Sequence, residues 1–392
     1  MSDSGEYRDP PVAVDSIASA ALKRRLDAGD PVRLLDVRNR DEHEAWHIDA
    51  AETTVIPYMK WLQADVTDSV PDLAADIEGE GPITVVCARG EASAYVAGLL
   101  TDAGIEARNL DAGMEGWARL YDAVELDVDA DGATVLQYQR PSSGCLSYML
   151  VSGGEAAVVD PLGAFTDRYV ADANEHDATI TLVVDTHVHA DHVSGLRDLA
   201  AETGATAVMP RMAVERGVTY DVETVIDGAE LAVGDATLRA VHAPGHTTGS
   251  TAFAVGDLLL TGDSLFVESI ARPDLEQGHE GAEPLANQLY ATLTDRFGAF
   301  GADTLVAPGH YGETASPGAD GSYTARLGDL RESLPVFDME RTAFVARILR
   351  DMPPRPDNFE EIIHVNMGRS EADEEAAFEL ELGPNNCAAG PL

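Results

Sequence analysis

His187-Val188-His189-Ala190-Asp191-His192 follows directly on the apolar run Thr181-Leu182-Val183-Val184-Asp185. The run reads as a buried strand, and Val193 to Ala201 reads as a helix. Three imidazoles and a carboxylate therefore stand at a strand's C-terminal end, where a rigid base carries a functional loop. Imidazole and carboxylate at this density suit zinc or iron, so the stretch marks a metal-binding active site and an enzyme.

Three later segments extend this reading. Ala243-Pro244-Gly245-His246-Thr247 and Val306-Ala307-Pro308-Gly309-His310 each place a His after a Pro-Gly turn, and Leu258-Leu259-Leu260-Thr261-Gly262-Asp263 ends an apolar strand on an Asp. In this order the four segments resemble the metallo-β-lactamase superfamily over residues 134–368. The resemblance implies an αββα sandwich. It also implies seven ligand positions, falling on His187, His189, Asp191, His192, His246, Asp263 and His310. His242 matches none of them and reads as structural; His176, His279 and His364 remain unassigned.

That set permits two chemistries. Two zinc ions could share Asp263 and activate a hydroxide against a thioester carbonyl. Alternatively one Fe(II) could be held by His187, His246 and Asp263, a two-His-one-carboxylate triad with open positions. His189, Asp191, His192 and His310 would then tune ligand orientation and proton flow. Ala271-Arg272-Pro273-Asp274-Leu275 is similar to the Gly-Arg-Pro/Thr-Asp segment of the persulfide dioxygenase branch, with Ala271 in place of the Gly. Met352-Pro353-Pro354 and Val365-Asn366-Met367-Gly368 extend the likeness. It implies that Arg272, with Asp274 in the same segment, lies near the metal and anchors a carboxylate or an oxygenated sulfur. The bland alternative is a surface ion pair between the two. Tyr311 either lines the substrate pocket or packs for structure. Cys145 reads as a small buried strand residue.

Upstream the pattern changes. Strands at Val32 to Val37, Ile83 to Cys87 and Ala107 to Leu110 alternate with helical stretches, giving a small parallel-sheet α/β domain. Leu34-Leu35-Asp36-Val37-Arg38, Glu44-Ala45-Trp46-His47-Ile48, Val85-Val86-Cys87-Ala88-Arg89-Gly90-Glu91-Ala92-Ser93 and Asn109-Leu110-Asp111-Ala112-Gly113-Met114 resemble a rhodanese domain over 13–125. Cys87 stands between a strand and a helix start, where backbone N–H groups stabilise a thiolate or persulfide, and Arg89 would add to that. Ala92 and Trp46 depart from the usual Arg and Gly. They put thiosulfate turnover in doubt but leave Cys87 as a sulfur carrier; the other reading is a docking or regulatory module.

Residues 126–133 read as an acidic linker and 369–392 as a loosely held acidic tail. The 392-residue chain carries 69 acidic against 26 basic residues, a net −43, and its only lysines are Lys23 and Lys60. Acids spread along the whole length suit a halophile's cytosol, where molar salt shortens the Debye length to roughly 3 Å and screens the self-repulsion. They argue against nucleic acid and anionic membrane as partners. Three cysteines give no disulfide framework, and Met1 to Glu6 lacks the marks of a signal peptide, so the cytoplasm is the expected location.

Taken together, the two resemblances imply an Fe(II)-dependent persulfide dioxygenase coupled to a sulfurtransferase domain. It would oxidise a low-molecular-weight thiol persulfide to sulfite with O₂. The alternatives are a dinuclear zinc thioester hydrolase of the glyoxalase II type and a non-catalytic sulfur carrier or sensor. A homo-oligomer is compatible with all three.

Overall fold

The computed structural model describes residues 8–383, except 51, 313 and 351, together with 387–389; Met1 to Glu6 lies outside them. The chain divides into two compact units. One runs to Leu120 and takes in Pro141–Ser143; the other comprises Tyr121–Arg140 and the chain from Gly144.

In the first unit, β1 (Asp15–Ile17), β2 (Arg33–Asp36), β3 (Glu52–Val55), β4 (Ile83–Val86) and β5 (Ala107–Leu110) form a parallel sheet in the order β1-β5-β4-β2-β3. Successive side chains alternate between faces. Leu35 and Val85 thus meet Trp61, Val96 and Leu100 on one side, while Leu34 and Val86 meet Leu22, Met114 and Trp117 on the other. The chain leaves β2 toward β3 and leaves β4 toward β5, in opposite directions. The crevice beyond the C-terminal ends of β2 and β4 is therefore the switch point where such sheets bind ligands, and Cys87 follows β4 there.

Asp36, at the end of β2, is buried. Its carboxylate accepts from the Arg38 guanidinium at 2.6 Å and from His43 Nδ1 at 2.9 Å. Burial pushes its pKa up, but Arg38 and His43 outweigh this and hold it below the ordinary value of 3.8.

In the second unit, β6 (Asp122–Glu125), β7 (Thr134–Arg140), β8 (Cys145–Ser152), β9 (Glu155–Val159), β10 (Thr179–Val184), β11 (Thr206–Pro210) and β12 (Glu223–Val225) lie side by side in chain order. The first four form an antiparallel meander; β9 to β12 run parallel. The tight β8–β9 hairpin has Gly153 and Gly154 both at positive φ, the conformation such a two-residue turn requires. A second sheet orders β13 (Glu230–Val233), β14 (Ala236–His242), β15 (Thr251–Val255), β16 (Leu258–Gly262), β17 (Leu305–Pro308) and β18 (Ala325–Arg326).

The two sheets face each other across one core: Tyr148, Leu150, Val159 and Val184 meet Leu238, Phe253, Val255 and Leu260. Neighbours one residue away turn outward. Met149, Val158 and Val183 pack on Tyr169 and Leu199 of helices Thr166–Glu175 and Leu196–Thr203. Val241 and Leu259 pack on Leu289 and Phe344 of helices Gly278–Ala291 and Arg341–Arg350. The second unit is the expected αββα sandwich, and the first is the expected α/β domain. The sandwich carries β10, β16 and β17, and the loop after β14, to a common edge.

Three expectations change. Asp122–Glu125, placed by sequence at the end of the first domain, pairs with β7 instead. Residues 126–133 are no linker between units, because Leu126, Ala130 and Ala133 are buried in the sandwich core. The described part of the tail is not loose either. Glu374–Leu380 is a helix, and Glu381 pairs with Arg140 at 2.5 Å, both side chains 1% exposed. Arg140 lies over the rings of Phe165 and Phe378.

Asp36→Asn is expected to destabilise the first unit by about 3 kcal/mol at neutral pH, since it leaves Arg38 buried without its counter-charge. Because Asp36 titrates lower when folded than unfolded, its contribution is full above pH 3.8 and vanishes as pH falls through the folded value. Chemical denaturation of wild type and variant should therefore converge in acid.

Candidate metal centre

Three loops meet at the edge of the sandwich. His187 follows β10, and its Nδ1 lies 2.9 Å from Thr186 Oγ1. That hydroxyl donates to Asp160 Oδ2 at 2.9 Å, so it accepts from His187 Nδ1–H and leaves the lone pair on Nε2. His246 donates its Nδ1–H to the Arg272 carbonyl at 3.0 Å, which likewise frees Nε2. Asp263 ends β16, with Oδ2 at 3.8 Å from both Nε2 atoms. All three residues are buried.

None of His187 Nε2, His246 Nε2 and Asp263 Oδ2 has a hydrogen-bond partner among the described residues. Burial above all, helped by the neighbouring imidazoles, pushes both histidines down to the neutral form. Burial alone would raise Asp263, but His310 and the other two histidines hold it well below the usual carboxylate range. Two neutral imidazole lone pairs and a carboxylate oxygen cannot hydrogen-bond one another. A cation placed among them satisfies all three, so the donor set fits a metal ion.

Two glycines let Asp263 in. Gly262 has φ +48°, and a Cβ there would lie 2.6 Å from Thr186 Oγ1; a Cβ on Gly309 would collide with Asp263 Oδ1.

His310 bridges two carboxylates. Its Nδ1 is 2.6 Å from Asp263 Oδ1 and its Nε2 is 2.7 Å from Asp191 Oδ2. Burial disfavours its charge, yet Asp263 and Asp191 raise its pKa well above the ordinary value. His192 Nδ1 lies 3.1 Å from Asp191 Oδ2. Burial and His189 oppose its charge, but Asp191 pushes it up to about 9. His189 turns Nε2 to Asp160 at 3.1 Å. Its Nδ1, Asp191 Oδ1 and His192 Nε2 are also buried without a hydrogen-bond partner among the described residues. Donor atoms of Cys145, Asp191, His192 and His310 lie within 4.8 Å of one another, as do those of Asp191, Asp263, His310 and Cys387, so a second donor position adjoins the first at Asp263.

In the first unit, the Cys87 sulfur accepts from Gly90 N–H and from Ser93 Oγ–H, each at 3.1 Å. Both donors stabilise negative charge on sulfur. Arg89, expected to assist, is turned instead to Glu115.

The family model described as the metallo-beta-lactamase superfamily matches residues 141–332, and that of the rhodanese-like domain matches 18–120. Human mitochondrial persulfide dioxygenase ETHE1 is 30% identical over 188 residues, 46% of this chain and 69% of that protein. The chain belongs to the metallo-β-lactamase superfamily. It is a metal-dependent enzyme with a rhodanese-like domain ahead of its sandwich. A hydroxyacylglutathione hydrolase of Rhodospirillum rubrum is 34% identical over 159 residues, 40% of this chain and 57% of that protein. Among solved structures, a metallo-beta-lactamase from Staphylococcus aureus subsp. aureus COL has a TM-score of 0.54 and 26% identity, covering 61% of this chain and 73% of that one. ETHE1 from Myxococcus xanthus has a TM-score of 0.52 and 28% identity, covering 59% and 96%.

Within this superfamily fold, Arg272 departs from its expected place at the substrate. Its guanidinium is buried and pairs with Asp274 at 2.7 and 3.2 Å. It also donates to the carbonyls of Pro354 and Pro353 at 2.7 and 2.9 Å. Its link to the metal centre is the backbone carbonyl that orients His246. Tyr311 stacks on Tyr323, with ring centroids 3.6 Å apart, and packs against the sandwich core.

The sequence reading missed three parts of the site. Asp160, an acid closing an apolar strand, fixes Thr186 and His189. Asn366 donates to the carbonyls of His189 and His192 at 3.1 and 2.8 Å, clamping the ligand loop. Cys145 donates to Asp191 Oδ2 at 3.2 Å, so it is more than a packing residue.

A cleft of about 610 Å³ carries Arg216, Arg355 and Arg369. Its Leu275, Phe359 and Ile363 also pack with Ala190 and Cys387 near the centre.

Arg272→Lys should break the fork to Asp274 and release the 353–354 loop. Metal loss to a chelator should quicken about tenfold, as when a group orienting a ligand is removed. A raised KM with unchanged metal retention would instead make Arg272 a substrate anchor.

Proposed function

We propose that the chain is a persulfide dioxygenase coupled to a sulfur-carrying rhodanese domain. The observation that carries this reading is the triad itself. His187, His246 and Asp263 form a compact donor group, while His189 belongs to a separate one with Asp160 and Asp185. Two imidazoles and one carboxylate suit a single non-haem Fe(II). Iron(II) bound there supplies open positions for a persulfide sulfur and for O₂, and the electron transfer between them. The overall reaction is R–S–SH + O₂ + H₂O → R–SH + SO₃²⁻ + 2 H⁺. The likeness to ETHE1 supports it.

The chain's own groups have distinct tasks. Asp160 and Thr186 hold the His187 tautomer, and the Arg272 carbonyl holds that of His246. His310 orients the Asp263 carboxylate through its Nδ1 at 2.6 Å and keeps Nε2 beside Asp191 at 2.7 Å. The cleft with Arg216, Arg355 and Arg369 suits the anionic end of a low-molecular-weight thiol carrier. In the first unit Cys87 takes sulfur by R–S–SH + Cys87–SH → R–SH + Cys87–S–SH, and the Gly90 and Ser93 donors favour the charged persulfide.

A second reading is a dinuclear zinc thioester hydrolase. It is favoured by the second position, where Asp191 Oδ1 and His192 Nε2 are also buried without hydrogen-bond partners among the described residues. The hydroxyacylglutathione hydrolase likeness agrees with it.

Metal analysis of protein purified at high salt decides between them, combined with O₂ uptake on a thiol persulfide. One iron per chain and O₂ consumption matched by sulfite are expected. Two zinc ions, thioester hydrolysis and no O₂ uptake would overturn the first reading. Cys87→Ser should abolish sulfur transfer to cyanide or a thiol while leaving O₂ uptake on added persulfide intact.

A further inference from the structure

Cys387 is far from the metal ligands in sequence, in a segment with no motif of its own. Its place is nevertheless built. Glu381 anchors the segment just before it, accepting from Val193 N–H at 2.7 Å and from Arg140 at 2.5 Å, all buried. Beyond it, the backbone docks on the loop that orients His246. Arg272 N–H donates to the Cys387 carbonyl at 3.3 Å, Ala389 N–H donates to the Ile270 carbonyl at 2.8 Å, and Ala388 bridges Ala271.

The side chain is fully buried. Its sulfur and one donor atom each from Asp191, Asp263 and His310 all lie within 4.8 Å of one another. A tetrahedral ion with bonds of about 2.0–2.3 Å spaces its ligands roughly 3.3–3.8 Å apart. The four atoms, none more than 4.8 Å from another, need only a small contraction to surround one ion. Asp191 Oδ1, in that group of residues, is buried without a hydrogen-bond partner among the described residues. It is independent evidence that a cation belongs there.

We propose that Cys387 is a metal ligand. The C-terminal segment carries a thiolate into the second position, beside the His187–His246–Asp263 triad. With Asp191, Asp263 and His310 it makes a mixed oxygen, nitrogen and sulfur site for a thiophilic divalent ion such as zinc or cadmium. Sulfur makes this position softer than the triad, which has none, so the two positions select different metals. Cys145, grouped with Asp191, His192 and His310, already gives its S–H to Asp191 Oδ2 at 3.2 Å, and its role in this arrangement is to orient that carboxylate.

The test is titration of full-length Cys87→Ser protein with Cd(II), so that the rhodanese thiol gives no signal. A thiolate-to-cadmium charge-transfer band is expected at one thiolate per chain. It should be lost in Cys387→Ser and kept in Cys145→Ser. X-ray absorption at the cadmium edge, on protein with Cys387 intact, should show one sulfur neighbour; this reading stands even if Cys387→Ser folds poorly. A band undiminished in folded Cys387→Ser, or a shell of nitrogen and oxygen alone, overturns the proposal. Iron content and O₂ uptake are measured separately, so failure here leaves the dioxygenase reading standing, and the reverse.

Discussion

Asp263 Oδ2 stands 3.8 Å from the open nitrogens of two neutral, buried histidines, and no group among the described residues completes the three. Such a cluster is unfavourable by itself. Desolvation costs each atom its water, and the lone pairs face one another without a proton between them. The surrounding structure exists to hold it in that condition. Thr186 and the Arg272 carbonyl take the protons on the far sides of the rings, which fixes the lone pairs inward. Asp160, Asn366 and Glu381 then fix the loop between them by accepting from, or donating to, its backbone and side chains.

The same constraint explains the architecture. Each of the three ligands follows a strand, and the strands belong to two different sheets. Only a sandwich packed at core density keeps strand ends from separate sheets in register at such short range. Alternation along β10 and β16 does this directly: Val184 and Leu260 fill the shared core, while Val183 and Leu259 bind the outer helices. Side chains pinned on both faces leave a strand little freedom to shift, so the residue after it is placed accurately.

What the sequence revealed follows from this. His187, His246, Asp263 and His310 were legible because each ends an apolar strand or a Pro-Gly turn, a local pattern with a local cause. The rhodanese loop was legible for the same reason, since Cys87 sits between a strand and a helix start. Asp160, Asn366, Glu381 and Cys387 were not. Each acts on residues 26 to 241 positions away, and nothing beside it in the chain announces that. Glu381 was hidden further by its surroundings: one buried carboxylate among many solvated ones looks like part of an acidic tail. Arg272 misled in the opposite way. Its motif was real, but an arginine flanked by Asp274 and two distant proline carbonyls is consumed by structure, and its backbone does the work at the metal centre.

The charge of the chain bears on that last point. With 26 basic residues against 69 acidic ones, an arginine in the interior is drawn from a small pool, and most of the charged side chains are carboxylates. Arg140, Arg272 and Arg38 are nevertheless buried, each paired with an acid and bonded further to backbone or rings. A buried pair is weak as a source of stability, because desolvating both charges cancels most of their attraction. Its geometry, however, is insulated from the salt that screens the surface. The exterior can therefore change its interactions with ionic strength while Arg272 and Arg140 keep the loop and the tail at the metal centre in place. On this view the arginines of the interior are positioning devices that work equally in dilute and concentrated salt, and the acidic surface is free to serve solubility alone.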